Sequence, residues 1–93
     1  MKLAGRRCHL ASQKGHPDVV ELLLANHAMV DTQDTRGDTA LHLATYYGHL
    51  AVAELLIDHG ANVYSQNEGR RTPLDLARRE GHDDVARLLE DRG

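Results

Sequence analysis

Phenylalanine and tryptophan are absent from these 93 residues, and only three tyrosines supply phenol rings. Any core must therefore be built from Leu, Val, Ile and Ala. A single cysteine, Cys8, excludes an internal disulfide and points to a reducing, intracellular compartment. No apolar run approaches the roughly 20 residues that a membrane-crossing helix needs. Met1-Lys2 leads to Arg6-Arg7 without the apolar stretch of a signal peptide. The net charge is −3 with both signs interspersed, so the clustered basic stripe of a nucleic-acid surface is missing. The chain is expected to be intracellular (cytoplasmic or nuclear), with neither nucleic acid nor membrane as a partner.

What the chain does have is a period. His16, His49 and His82 recur every 33 residues, and each follows a glycine: Gly15, Gly48 and Gly81. In that register residues 1–33, 34–66 and 67–93 are three copies of one motif, making a single domain over 1–93. The middle copy, Gly37 to Val63, is the clearest. A repeat of this length marks a solenoid, in which no unit buries its apolar face alone. Function must then lie on a stacked surface rather than in a catalytic cleft.

Within a copy the local chemistry spells two helices. Thr39 and Thr72 stand at N-cap positions, and Pro73 follows at the first helical place, where its missing N–H is harmless. Gly48 and Gly81 suit a left-handed C-cap that ends the first helix after about two turns. The second helix of the first copy begins at Pro17 and runs through Val19, Val20, Leu22, Leu23 and Leu24, with Glu21 the main polar break. A helix apolar nearly all round is expected to be buried on several sides. Gly60 ends the second copy's helix, and His27 holds the equivalent place in the first. Ala11, Ala44 and Ala77 recur in the first helices, where a methyl lets neighbouring helices approach closely. Residues 28–38 and 61–71 read as extended arms, with Asp34-Thr-Arg-Gly37 a good turn.

These residues resemble the ankyrin repeat. The matching motifs are Thr39-Ala-Leu-His42, Thr72-Pro-Leu-Asp75, the three Gly-His pairs, the Leu-Leu helices and Gly60-Ala-Asn-Val63. The resemblance implies an all-α solenoid, an L-shaped stack of three helix-turn-helix units joined by β-hairpin loops. It further implies protein binding through the hairpin tips and the concave face of the first helices, with no catalysis and no cofactor. Three departures stand out. Arg6-Arg7-Cys8-His9 replaces the capping motif in copy one, so residues 1–5 are expected to fray. Arg70 stands where copy two has the turn glycine Gly37, so the last hairpin is expected to be distorted. Asp75 and Glu90 make the third copy polar on its outside, as a terminal cap should be.

Candidate sites follow. His9 and His42 are expected to bond backbone at the helix starts, and His16, His49 and His82 to tie the interhelical turns. Their spacing gives no converging metal set. Cys8 takes a core leucine's place and lacks a partnered base, so it reads as packing rather than as a nucleophile. Glu80, Asp75, Asp83 and Asp84 are expected to form a salt-bridged solvent face with Arg78, Arg79 and Arg87. Tyr46 and Tyr47 sit where such domains usually present partner-facing residues, and tyrosine is enriched among binding hot spots; alternatively one ring simply covers the adjacent loop. The remaining partner-binding candidates are Gln13, Lys14, Arg79 and Glu80 at the ends of first helices, and Gln33, Thr35, Arg36, Asp38, Gln66, Glu68 and Arg71 at the hairpin tips, with Asn26 and His59 at the border. The function expected is a non-catalytic protein-interaction module. The alternatives are an excised or engineered minimal scaffold without a natural partner, suggested by termini that coincide with repeat boundaries, and, more remotely, an enzyme. A monomer is expected, with weak self-association through the first repeat.

Overall fold

The structure, a computed structural model, describes residues 3–25 and 30–92, with the backbone alone for residues 3–8. Asn26 and His27, and the burial of Cys8, lie outside what is described. Six helices follow one another: α1 (Leu3–Lys14), α2 (Pro17–Ala25), α3 (Ala40–Tyr46), α4 (Leu50–Asp58), α5 (Pro73–Arg79) and α6 (Asp83–Arg92). They form two layers. In one, α1 packs on α3 and α3 on α5; in the other, α2 packs on α4 and α4 on α6. The seam between the layers holds Val20, Leu41, Ala44, Val52, Ala53, Leu56, Ala77 and Val85, all fully buried or nearly so. Removing a valine or leucine side chain from water contributes about 1.5–3 kcal/mol, and an alanine methyl less.

Caps start and stop the helices where the sequence predicts. Thr39 and Thr72 have extended backbones, and their hydroxyls accept from the N–H groups of His42 and Asp75; the side chains of those two residues bond back to the cap N–H. This reciprocal arrangement satisfies two otherwise orphaned donors at each helix start. Gly48 and Gly81 take φ +74°, beyond the last helical turn. The interhelical turn is closed by backbone rather than by imidazole: the His16, His49 and His82 N–H groups donate to the Ala11, Ala44 and Ala77 carbonyls at 2.8–2.9 Å.

Three expectations are corrected. Residues 3–5, expected to fray, form the first turn of α1; with no threonine cap to stop it, the helix extends four residues beyond the register of α3 despite Gly5. The second helix of copy one is not buried on several sides. Val20 and Leu24 are buried, but Val19 and Leu22 are exposed, because no helix pair packs on that side among the described residues. The loop around Arg70 is not distorted. It repeats the hydrogen bonds of its counterpart, Asn67 N–H to Arg71 C=O at 3.1 Å matching Asp34 N–H to Asp38 C=O at 2.9 Å. Arg70 simply adopts the left-handed φ of +61° that Gly37 holds at +78°. The loops contain turns and no strand among the described residues.

The histidine side chains fasten one helix pair to the next. His9 Nε2–H donates to the Asp38 carbonyl at 2.9 Å, and His42 Nε2–H to the Arg71 carbonyl at 2.9 Å, each reaching forward. His49 Nε2–H donates back to the Gln13 carbonyl at 2.9 Å, and His82 Nε2–H back to the Tyr46 carbonyl at 3.0 Å. The tautomer of His42 follows from its partners: Nδ1 accepts the Thr39 N–H at 3.0 Å, and a carbonyl can only accept, so the proton sits on Nε2. For His49 and His82 these bonds correct the expectation that the imidazole acts within its own turn.

Candidate functional site

Between the first helices and the loops lies a shallow groove of about 210 Å³, lined by Arg36, Asp38, His42, Leu43, Tyr46, Tyr47, Asn67 and Leu76. The last turn of α3 places the tyrosines at its mouth. Tyr46 is 42% and Tyr47 45% exposed. Their rings meet edge to face, with centroids 4.9 Å apart and planes at 70°, a geometry favoured by the aromatic quadrupole. Tyr47 also stacks on the His49 ring at 6.3 Å and 21°. Both rings are thus oriented by neighbours while half of each faces solvent.

The groove's far wall is held by the loops. Asp34 Oδ1 accepts the Arg36 and Asp38 N–H groups, both at 2.9 Å, and Asn67 Oδ1 likewise accepts those of Gly69 and Arg71 at 3.0 Å. Adjacent loops are then tied together. Asn67 Nδ2–H donates to Asp38 Oδ1 at 2.8 Å, Glu68 N–H to the Arg36 carbonyl at 3.0 Å, and Gln33 Nε2–H to the carbonyls of Gly37 and Gln66 at 3.0 and 3.1 Å. Gln66 repeats the gesture toward the Arg70 carbonyl at 3.5 Å.

Of the sequence candidates, Arg36, Asp38, Tyr46 and Tyr47 come together in this groove. Thr35 and Glu68 stand exposed on the loops beside it. Gln33 and Gln66 are on the same loops, but their amides are engaged in fastening them. Arg71 is half-buried and offers its carbonyl to His42. Gln13, Lys14, Arg79 and Glu80 are exposed at the ends of α1 and α5 and do not line the groove. Asn67, Leu43 and Leu76 were missed by sequence reasoning. Asn67 was discoverable: it lies 33 residues after Asp34, and both types cap a turn through a side-chain oxygen.

Charge on this side is sparse in ion pairs. The two salt bridges among the described residues, Arg78–Glu90 and Arg92–Asp58, are elsewhere on the surface. The expected ladder between Arg78, Arg79 or Arg87 and Asp83 or Asp84 is therefore replaced by a pairing of α5 with α6. At the start of α5, the Thr72 N–H donating at 3.0 Å to the Asp75 carboxylate holds its pKa below the ordinary value, slight burial opposes this, and Arg71 and Arg78 assist. Among the described residues no three His, Cys, Asp or Glu side chains converge as a metal ion would require. No helix there is long and apolar enough to cross a membrane.

A family model described as ankyrin repeats (3 copies) matches residues 8–93, so the chain belongs to the ankyrin-repeat family. No curated protein matches the sequence as a relative. Ankyrin repeats are generally protein–protein interaction modules and are typically non-catalytic.

Proposed function

We propose that this ankyrin-repeat chain acts as one non-catalytic recognition domain, with units 1–33, 34–66 and 67–93, that seats a protein partner along the groove between its first helices and its loop tips. The loops serve as hairpin-like fingers. Tyr46 and Tyr47 anchor the partner, Arg36 and Asp38 flank them, and Gln33, Thr35, Gln66, Glu68 and Arg71 extend the surface along the loops. Gln13, Lys14, Arg79 and Glu80 extend it along the helix ends. The reading carries an intracellular setting, in keeping with a lone cysteine.

The observation that carries it is the tyrosine pair: two adjacent rings, each close to half exposed, held edge to face at the mouth of the groove. A solvated surface gains nothing from presenting two phenols, whereas an interface does. Rigid presentation supplies the mechanism. The loops are already locked to one another through Gln33, Asn67 and Glu68, so binding sacrifices little conformational entropy.

The test is the double variant Tyr46→Ala, Tyr47→Ala against a partner recovered by cross-linking. Loss of about 2 kcal/mol or more of binding free energy, with the melting temperature nearly unchanged, is expected. The stack should survive because His82 bonds the Tyr46 carbonyl, not its ring. Wild-type affinity in the double variant refutes the reading.

A further inference from the structure

The first unit lines no part of the groove, yet one imidazole ties it to the tyrosines. His49, at the start of α4, is held by the first unit in two ways. Its Nε2–H donates to the Gln13 carbonyl at 2.9 Å. Its ring also lies so close to Gly15 that a Cβ there would stand 2.6 Å from Nδ1, 2.7 Å from Cε1 and 3.0 Å from Cγ. Only the hydrogens of a glycine fit, so the end of α1 fixes where this ring sits.

The same ring stacks on Tyr47, with centroids 6.3 Å apart and planes at 21°. Tyr47 in turn meets Tyr46 edge to face, at 4.9 Å and 70°. Aromatic quadrupoles favour both geometries. At 42% and 45% exposure the two phenols are not fixed by burial, and side chains so exposed otherwise exchange rotamers quickly. The contacts therefore run from the first unit through His49 to Tyr47, and from there to Tyr46. The next junction has the fastening without this relay. His82 donates to the Tyr46 carbonyl at 3.0 Å and lies as close to Gly48 as His49 does to Gly15. Glu80, however, stands where Tyr47 stands one unit earlier, and His82 makes no ring contact among the described residues.

We infer that His49 is the positioning residue of the tyrosine pair, and that docking of the first unit thereby sets the anchor of a groove it does not line. The consequence for partner binding rests on the proposed function; the ordering of the rings does not.

Near-ultraviolet circular dichroism of the full chain tests this. Without Phe, Trp or an internal disulfide, that spectrum comes from three tyrosines alone, and Tyr47→Ala measures what the pair contributes to it. His49→Gln keeps an amide able to donate to the Gln13 carbonyl but removes the ring, and should lose most of that contribution. Gly15→Ala should do the same by displacing the imidazole. Gly81→Ala has the same φ of +74° and nothing within 4 Å of the new Cβ, so it should lose none. His82→Gln should also keep the band. Spectra are compared where the far-ultraviolet signal matches that of the wild type, and His49→Gln decides the matter if Gly15→Ala does not fold. The inference is overturned if His49→Gln keeps the wild-type band, or if His82→Gln loses as much of it, since the loss would then report a loosened junction. Binding by Tyr46→Ala, Tyr47→Ala is a separate result: wild-type affinity there ends the groove reading, whereas an unchanged band in His49→Gln ends only this inference.

Discussion

Gly48 and Gly81 share a backbone conformation but not a neighbourhood, which makes them a built-in experiment on how the stack is fastened. Both have φ +74°. Replacing either by alanine incurs the left-handed penalty of about 1–2 kcal/mol. At Gly81 nothing lies within 4 Å of the added Cβ, so that penalty is the whole effect. At Gly48 the Cβ would sit 2.7 Å from His82 Nδ1, 2.8 Å from Cε1 and 3.0 Å from Cγ. The near atoms include the root of the ring, so the imidazole must move as a body. Moving it breaks the His82 bond to the Tyr46 carbonyl, which is worth about 0.5–1.5 kcal/mol. Residual overpacking adds to this. Gly48→Ala should therefore destabilise by about 1–3 kcal/mol more than Gly81→Ala, read as urea midpoints at equal slope. In a His82→Ala background the excess should vanish, closing a double-mutant cycle. Equal losses for the two glycine variants, or an excess that survives removal of the ring, would refute the reasoning.

Two further outcomes follow from the third copy. Arg70 holds φ +61° with an exposed side chain, so Arg70→Gly should relieve about 1–2 kcal/mol of backbone strain. Glycine's greater freedom in the unfolded chain returns about 0.5–1 kcal/mol of that, leaving a net gain checked by a higher urea midpoint; a lower one counts against the strain. The Asp75 carboxyl is held below its ordinary pKa by the Thr72 N–H. Its contribution is thus fully present above about pH 4, the unfolded value, and is lost as pH falls through the lower folded value. The stability difference between wild type and Asp75→Asn should be constant near neutrality and shrink in acid; parallel curves down to the acid transition would contradict this.

What the sequence made legible was local. Thr39, Thr72, Pro73, Gly48 and Gly81 announce helix ends because capping is decided within a few residues, and the 33-residue period turns those ends into a stack. The reach of His42 to the Arg71 carbonyl, or of His82 to that of Tyr46, was not legible. It depends on which backbone oxygen the neighbouring pair delivers, and carbonyls carry no residue signature. Burial of α2 was misjudged for a related reason: its apolar sequence matches that of α4, and only the missing neighbour separates exposed Val19 from buried Val52. Arg70 shows tertiary context overriding propensity, since the bonds from Asn67 and Glu68 fix the loop and the arginine conforms. Within the groove, Tyr46, Tyr47, Arg36 and Asp38 could be named from position in the motif, whereas Leu43, Leu76 and Asn67 join them only through the packing of adjacent pairs.

The four imidazole bonds all end on peptide oxygens, at Gln13, Asp38, Tyr46 and Arg71. A peptide oxygen is present whatever side chain its residue carries. Assembly and display are thereby uncoupled at Tyr46: its ring can be exchanged for another side chain, and the specificity of the groove rewritten, while the imidazole rivet from His82 stays in place.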